Sequence, residues 1–226
     1  MKDTPMNKIE IAHFIDHTLL KPEATPSQVE QLCDEAQRYK FASVCVNPVY
    51  VKLAAQAMKQ AEGAVCSVVG FPLGANTTAA KVYEAQQALV DGASEIDMVL
   101  HVGALKAGDL EQVKEDIAAT AAACHEGNAL LKVIIEAVLL SDAEKVTACN
   151  LAQAAGADFV KTSTGFASGG ATIEDVRLMR ESVGSQMGVK AAGGIRSYAD
   201  AVAMIEAGAN RIGASSGVQI VEQAPV

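Results

Sequence analysis

Two lysines stand in matched settings in this chain, each closing a short apolar run and opening into small residues and glycine. They are Lys161, in Ala157-Asp158-Phe159-Val160-Lys161-Thr162-Ser163-Thr164-Gly165, and Lys190, in Gly188-Val189-Lys190-Ala191-Ala192-Gly193-Gly194. A buried lysine must pair its charge or lose it, because a lone ammonium in low dielectric costs several kcal/mol or more. One such lysine at a strand end usually reaches solvent along its stem. Two in the same setting point instead to amine chemistry. An unperturbed lysine, with a pKa of about 10.4, is a free amine in only about one molecule in two thousand at neutral pH. A second ammonium nearby disfavours protonation and can bring the first toward roughly 7 to 8, which gives an effective nucleophile. Lys190 is therefore expected to activate Lys161.

Period-two alternation sets Lys161 with Ser163, Lys190 with Ala192, Asp97 with Val99, and Lys132 with Ile134 on common strand faces. If those faces point into a barrel, its interior holds three lysines and one carboxylate. Asp97 is then needed for charge balance and for relaying protons, with Lys132 as its structural counter-ion. Gly193-Gly194 lies before the cap-like Ser197-Tyr198-Ala199-Asp200, and Ser215-Ser216-Gly217 follows the last apolar run. Glycine-freed amides beside a helix start suit an anion, and barrels commonly place phosphate after their seventh and eighth strands.

These residues need elements to carry them. Short apolar runs at 14–16, 42–46, 65–70, 95–100, 130–136, 159–162, 189–192 and 211–214 alternate with helical patterns from end to end. Several are continuous rather than alternating, as parallel strands covered on both faces should be. Helix caps recur between them: Thr25-Pro26-Ser27-Gln28, Asp109-Leu110-Glu111-Gln112 and Ser141-Asp142-Ala143-Glu144. Leu110, Val113, Ile117 and Ala121 form one helical stripe. Asp91-Gly92-Ala93, Ala155-Gly156-Ala157 and Ala207-Gly208-Ala209 echo one another, each glycine ending a helix in the left-handed conformation before a strand. The echoes lack the fixed period of a solenoid. Eight strand–helix units over residues 1–226 predict a single-domain closed (β/α)₈ TIM barrel of the α/β class, with a doubly wound open sheet as the competitor. In a barrel, both lysines fall at the carboxyl ends of strands.

Composition narrows the function. A net charge of −9, no tryptophan and 4% aromatics argue against a nucleic-acid partner. The cysteines at 33, 45, 66, 124 and 149 are odd in number and sit in apolar stretches, which reads as a reduced, cytoplasmic chain. Residues 1–10 do not resemble a secretory signal, and no apolar run reaches the roughly 20 residues of a membrane span. His13, His17, His101 and His125 lack metal-ligand spacing and read as surface or capping residues. Cys45 reads as packing, and Gly70-Phe71-Pro72-Leu73-Gly74 as a rigid turn on a pocket rim.

Taken together, Asp16-His17-Thr18-Leu19-Leu20, Glu95-Ile96-Asp97-Met98-Val99, Lys132-Val133-Ile134-Ile135-Glu136, Lys161-Thr162-Ser163-Thr164-Gly165, Lys190-Ala191-Ala192-Gly193-Gly194-Ile195-Arg196 and Gly213-Ala214-Ser215-Ser216 resemble the deoxyribose-phosphate aldolase family. The motifs match in order and span nearly the whole chain. The resemblance implies a class I, metal-independent aldolase with no cofactor that cleaves 2-deoxy-D-ribose 5-phosphate to acetaldehyde and D-glyceraldehyde 3-phosphate, within deoxynucleoside salvage. It places the Schiff base on Lys161, with Lys190 and Asp97 assisting proton transfer. It further implies phosphate contacts near Gly165, Gly193, Gly194, Ser215 and Ser216, and substrate contacts from Asp16, Thr18, Lys132 and Thr164. Two departures stand out. Phe166 replaces a lysine that some members carry, and Gln223-Ala224-Pro225-Val226 stands where some have a tail ending in tyrosine. A homodimer through exterior helices is a further expectation. Two rival readings stay open on sequence alone: a pyridoxal phosphate anchor at Lys161, and a non-catalytic sugar-phosphate binder.

Overall fold

A computed structural model describes residues 5–225. Residues 1–4 and 226 of the expected 1–226 domain lie outside it, and with them the start of the 1–10 leader reading and Val226 of the tail. Eight parallel strands close in sequence order: β1 (Ile15–Leu19), β2 (Ser43–Val46), β3 (Ala64–Val69), β4 (Glu95–Val99), β5 (Leu130–Ile134), β6 (Phe159–Lys161), β7 (Gly188–Ala192) and β8 (Arg211–Ala214), with β8 returning to β1. The closed barrel is the predicted one, and the open-sheet alternative falls. Each expected run meets a strand. The first is displaced: it continues to Leu19 through His17 and Thr18, polar residues at which an apolar-run reading stops short.

Helices α1 (Lys8–Ala12), α2 (Pro26–Tyr39), α3 (Val51–Ala57), α4 (Thr78–Val90), α5 (Val102–Ala107), α6 (Leu110–Glu126), α7 (Asp142–Ala154), α8 (Ile173–Val183), α9 (Tyr198–Glu206) and α10 (Gly217–Glu222) accompany the strands. Their starts are chemically specified. Thr25, Ser141 and Ser197 each accept the N–H three residues on, while Gln28, Glu144 and Asp200 reach back to the cap backbone. Asp109 caps α6 through the Gln112 N–H. Gly92, Gly156 and Gly208 follow helix ends with positive φ, as the repeated glycines predict. On α6, Val113, Ile117 and Ala121 are buried, but Leu110 at the first helical position stays exposed.

The main apolar core fills the space between strands and helices, and a smaller cluster of Leu20, Cys45, Cys66 and Val68 lies inside the barrel. Alternation sends Ile96, Met98, Leu131, Val133, Val160 and Val189 outward into the main core, and so turns Asp97, Lys132, Lys161 and Lys190 inward. Room for them is made by small residues. A Cβ at Gly213 would stand 3.1 Å from Cε of Lys190 and 3.0 Å from Cβ of Ala192, so the bare glycine admits the lysine stem. No helix among the described residues is long and apolar enough to cross a membrane.

The turn at residues 70–74 is held from several sides. The Gly70 N–H donates to Glu84 at 2.7 Å, the Gly74 N–H donates to the Gly70 carbonyl at 2.7 Å, and Gly74 has φ +69°. A Cβ at Gly74 would fall 2.0 Å from the Leu100 carbonyl oxygen. Gly74→Ala should therefore cost at least about 2 kcal/mol, through main-chain collision plus left-handed strain. Gly108→Ala, where φ is +79° and nothing lies within 4 Å, should cost about 1 kcal/mol. Denaturant unfolding of the two variants checks the difference; equal losses would show that the collision relaxes freely.

Candidate active site

Inside the barrel, one carboxylate gathers three lysines. Asp97 Oδ2 accepts from Lys161 Nζ at 2.7 Å and Lys190 Nζ at 2.8 Å, and its Oδ1 accepts from Lys132 Nζ at 2.9 Å. Strand register explains the convergence. Asp97 is paired with Lys132 across β4 and β5, and Lys161 with Lys190 across β6 and β7. Two further carboxylates complete the network. Lys132 also reaches Glu95 at 2.6 Å, Lys190 reaches Asp16 at 2.5 Å, and Arg211 bridges Asp16 at 2.6 Å and Glu95 at 2.7 Å.

Four cations thus face three carboxylates, and they are not equivalent. Lys132, Lys190 and Arg211 each hold two carboxylates, whereas Lys161 holds Asp97 alone. Lys161 is also the one of the three lysines that lines the cavity at the carboxyl end of the barrel. Burial opposes the charge on Lys190, but Asp16 and Asp97 outweigh it and hold its pKa well above the usual lysine range. Burial likewise opposes ionisation of Asp97, and Lys132, Lys161 and Lys190 outweigh it, keeping the group anionic well below the usual carboxylate range. Asp16 is lowered in the same way, against burial, first by Lys190 and then by Arg211.

The cavity holds about 460 Å³ and is lined by Lys161, Thr18, Thr164, Gly165, Phe166, Gly193, Gly194 and Ser215, among others. That volume suits a small metabolite. Gly165, Gly193 and Gly194 have φ of +84°, +89° and +82°. Among the described residues, their N–H groups have no hydrogen-bond partner within the chain. The loop after β6 and the loop after β7 touch main chain to main chain. The Ala171 N–H donates to the Ala192 and Gly193 carbonyls at 3.1 and 3.0 Å, and a Cβ at Gly170 would lie 2.3 Å from the Gly193 oxygen. Such bare, oriented amides at strand ends can hold an anion.

Of the residues expected from the sequence, the structure brings Lys161, Thr18, Thr164, Gly165, Gly193, Gly194 and Ser215 to the cavity, with Lys190 and Asp97 directly behind Lys161. Ser216 stands one residue beyond, at the N-cap of α10. Asp16 and Lys132 are placed differently from the substrate contacts implied for them. Both are fully buried, off the cavity wall, with their charges committed to ion pairs. The Thr164 hydroxyl donates to Glu136 and accepts from the Phe166 N–H.

Sequence reading overlooked Glu95 and Arg211, although Glu95 precedes by two a residue already placed inward, Asp97. It also passed over Lys21 and Arg196, exposed at the cavity rim, which put cations near a mouth where Phe166 brings none. His17 departs from the surface or capping role expected of it: it is buried between β1 and α2, with Nε2 2.7 Å from Glu35 and its ring 4.9 Å from that of Phe41. His101 caps α5, accepting from the Ala104 N–H at 3.0 Å.

Cys45, Cys66 and Asp97 bring potential ligand atoms within 4.8 Å of one another. They suit a metal poorly. Asp97 already neutralises three ammonium groups, and burial first, then the bond to Cys45, pushes the Cys66 thiol well above its usual range.

An eight-stranded parallel barrel with a cavity amine at its carboxyl end is the architecture of a small-molecule (β/α)₈-barrel enzyme. The chain belongs to the DeoC/LacD family of aldolases, whose model matches residues 11–223. A deoxyribose-phosphate aldolase of Thermococcus kodakarensis is 62% identical over 222 residues, covering 97% of this chain and 99% of that one. One from Streptococcus suis is 60% identical, covering 96% and 97%. The solved tetrameric deoxyribose phosphate aldolase of Aeropyrum pernix superposes with a TM-score of 0.90 at 37% identity, covering 96% of this chain and 91% of that one.

The ion network has a pH signature. Asp97 and Asp16 have lowered folded-state pKa values, so their stabilisation is fully present above the ordinary aspartate value of 3.8 and is lost as pH falls through the folded values. Lys132 and Lys190 are raised, so theirs is fully present below the ordinary 10.5 and is lost as pH rises beyond it. The contribution of these four groups to unfolding free energy should be level between about pH 5 and 9. Carbon-13 titration of the aspartate carboxyls should find Asp97 and Asp16 still ionised below pH 3.8. A normal titration for Asp97 would contradict the network.

Proposed function

We propose that the protein is a class I aldolase that reversibly cleaves 2-deoxy-D-ribose 5-phosphate to D-glyceraldehyde 3-phosphate and acetaldehyde, with Lys161 as the Schiff-base lysine. The observation that carries this reading is that Lys161, alone among the three lysines gathered on Asp97, opens onto the cavity while sharing the Asp97 Oδ2 with Lys190. Removing one proton from Lys161 sets three cations opposite three carboxylates. Removing it from either of the others leaves two carboxylates short of a partner. The relatives named deoxyribose-phosphate aldolase support the choice of substrate.

In the synthetic direction, the neutral Lys161 amine adds to the carbonyl carbon of acetaldehyde. Lys190, held as an ammonium, donates the proton with which the carbinolamine hydroxyl leaves as water. The iminium draws electrons from the adjacent methyl, one of whose protons passes to the now neutral Lys190 amine to give the enamine. The enamine carbon then bonds to the aldehyde carbon of glyceraldehyde 3-phosphate, whose oxygen takes the proton back from Lys190, and water hydrolyses the new iminium, freeing Lys161 and returning a proton to Lys190. Asp97 stays anionic, so it suits holding the iminium charge and passing a proton from Lys190 better than storing one. Thr18 and Thr164 face the sugar hydroxyls, and the amides of Gly165, Gly193, Gly194, Ser215 and Ser216 receive the phosphate, with Lys21 and Arg196 supplying charge at the rim. Asp16 and Lys132 act from beneath, through the ion network.

The same reading takes the chain to be cytoplasmic, in keeping with five free, buried cysteines, and to pair with a second copy through its exterior helices. Light scattering on a sizing column tests the pairing, with a tetramer, as in the Aeropyrum pernix relative, as the competing outcome.

Borohydride reduction in the presence of acetaldehyde should add one ethyl group, mapped by mass spectrometry to Lys161. A label confined to Lys190, or none in an active preparation, overturns the assignment. Lys190→Leu should lower kcat at least about 100-fold and displace the pH–rate profile, since the ammonium beside Lys161 is gone. An unmoved profile would remove Lys190 from that role. Lys161→Leu should abolish turnover; retained sugar-phosphate binding with no turnover in the unsubstituted chain would favour a binder instead.

A further inference from the structure

Glu136 follows β5 with φ +51° and ψ +63°, one of three non-glycine residues with positive φ among those described. It is buried, and the backbone on either side of it is stitched to the end of β6: the Ile135 N–H donates to the Lys161 carbonyl at 2.9 Å and the Ala137 N–H to the Thr162 carbonyl at 2.8 Å. Left-handed backbone at a glutamate is unfavourable and persists where the surroundings impose it. Here that conformation accompanies a carboxylate aimed at Thr164. Oε1 and Oε2 accept from the Thr164 N–H at 3.2 and 3.4 Å, and Oε2 also accepts from the Thr164 hydroxyl. With its proton turned to Glu136, the hydroxyl oxygen accepts the Phe166 N–H at 3.0 Å.

The network therefore consumes two of the three consecutive amides at residues 164–166 and leaves Gly165 between them with its N–H unspent. We propose that Glu136 is a positioning residue for phosphate: through Thr164 it fixes this turn so that the Gly165 amide is presented to the anion cavity beside Gly193 and Gly194. The inference rests on the phosphosugar reading of that cavity and adds a residue that does not touch the ligand. A carboxylate is the stronger acceptor for both Thr164 donors at once. Gln at this place keeps the shape but turns one acceptor into a donor facing them.

The test uses the full chain and inorganic phosphate as the probe, with affinity read by calorimetry and by ³¹P line broadening. Glu136→Gln should weaken phosphate about tenfold, the equivalent of one charge-assisted hydrogen bond out of place. A purely electrostatic role gives the opposite sign, because deleting a nearby negative charge tightens an anion. Thr164→Val, which removes the hydroxyl link, should weaken phosphate similarly, and Thr164→Ser should retain affinity. This pair carries the test if Glu136→Gln does not fold.

In turnover, the ratio of kcat/KM for D-glyceraldehyde 3-phosphate over D-glyceraldehyde should fall by a comparable factor in Glu136→Gln, through KM for the phosphorylated acceptor. A uniform loss on both acceptors would mark a merely structural role and overturn the proposal. So would unchanged or tighter phosphate binding, or no binding by the unsubstituted chain. Borohydride labelling of Lys161 reports separately on the Schiff-base reading, so failure of one is distinguishable from failure of the other.

Discussion

The Asp97 carboxylate is the constraint around which the barrel interior is organised. Three side-chain amines from β5, β6 and β7 meet it, and without it their charges would repel one another in the buried barrel interior. Removing one partner of such a network costs far more than its pairwise bonds, because the remaining charges stay buried. Placement and reactivity therefore have one origin. The carboxylate that draws Lys161 inward also holds Lys190 beside it, and Asp16 and Glu95 hold the other cations firmly enough that the cavity lysine is the loosely compensated one.

Around this centre the fold works by omission as much as by contact. Gly213 yields space for the Lys190 stem, and glycines 165, 193 and 194 leave amides bare at the mouth. Floor and rim come from different parts of the strand-to-helix repeat. Inward strand positions supply the charged floor, and the loops that follow the strands supply the rim, so the rim can change without disturbing the charges below. Phe166 shows the consequence. Its ring rests edge-on against Phe71 at 5.2 Å, at a place where some family members carry a cation, and the nearby positive charge comes instead from Lys21 and Arg196.

Much of this was legible from residue order. Continuous apolar runs gave the strands, and polar triplets with glycine endings gave the helices. The matched settings of Lys161 and Lys190 pointed to the cavity end. What stayed hidden depends on closure of the ring. Arg211 opens its strand, as many solvent-facing arginines do, and its bonds to Asp16 and Glu95 exist only because β8 returns to β1. Strand alternation already marked Lys132 as the counter-ion of Asp97, but motif resemblance placed it and Asp16 against the substrate, and only three-dimensional depth separates an ion-pairing residue from a wall residue. His17 looked superficial because its partner, Glu35, lies on the next helix. Glu136 sat unremarked at the end of a motif because a left-handed backbone has no sequence signal in a glutamate.

The contact between Gly170 and Gly193 joins two loops by main chain alone. Side chains pressed together can trade volume, one shrinking as the other grows, but peptide groups have nothing to trade. The loops after β6 and β7 are thereby yoked: an insertion or substitution that reshapes either mouthpiece transmits its displacement to the other. Variation in acceptor preference should accordingly arise by paired change in both segments, while the lysine floor beneath stays as it is.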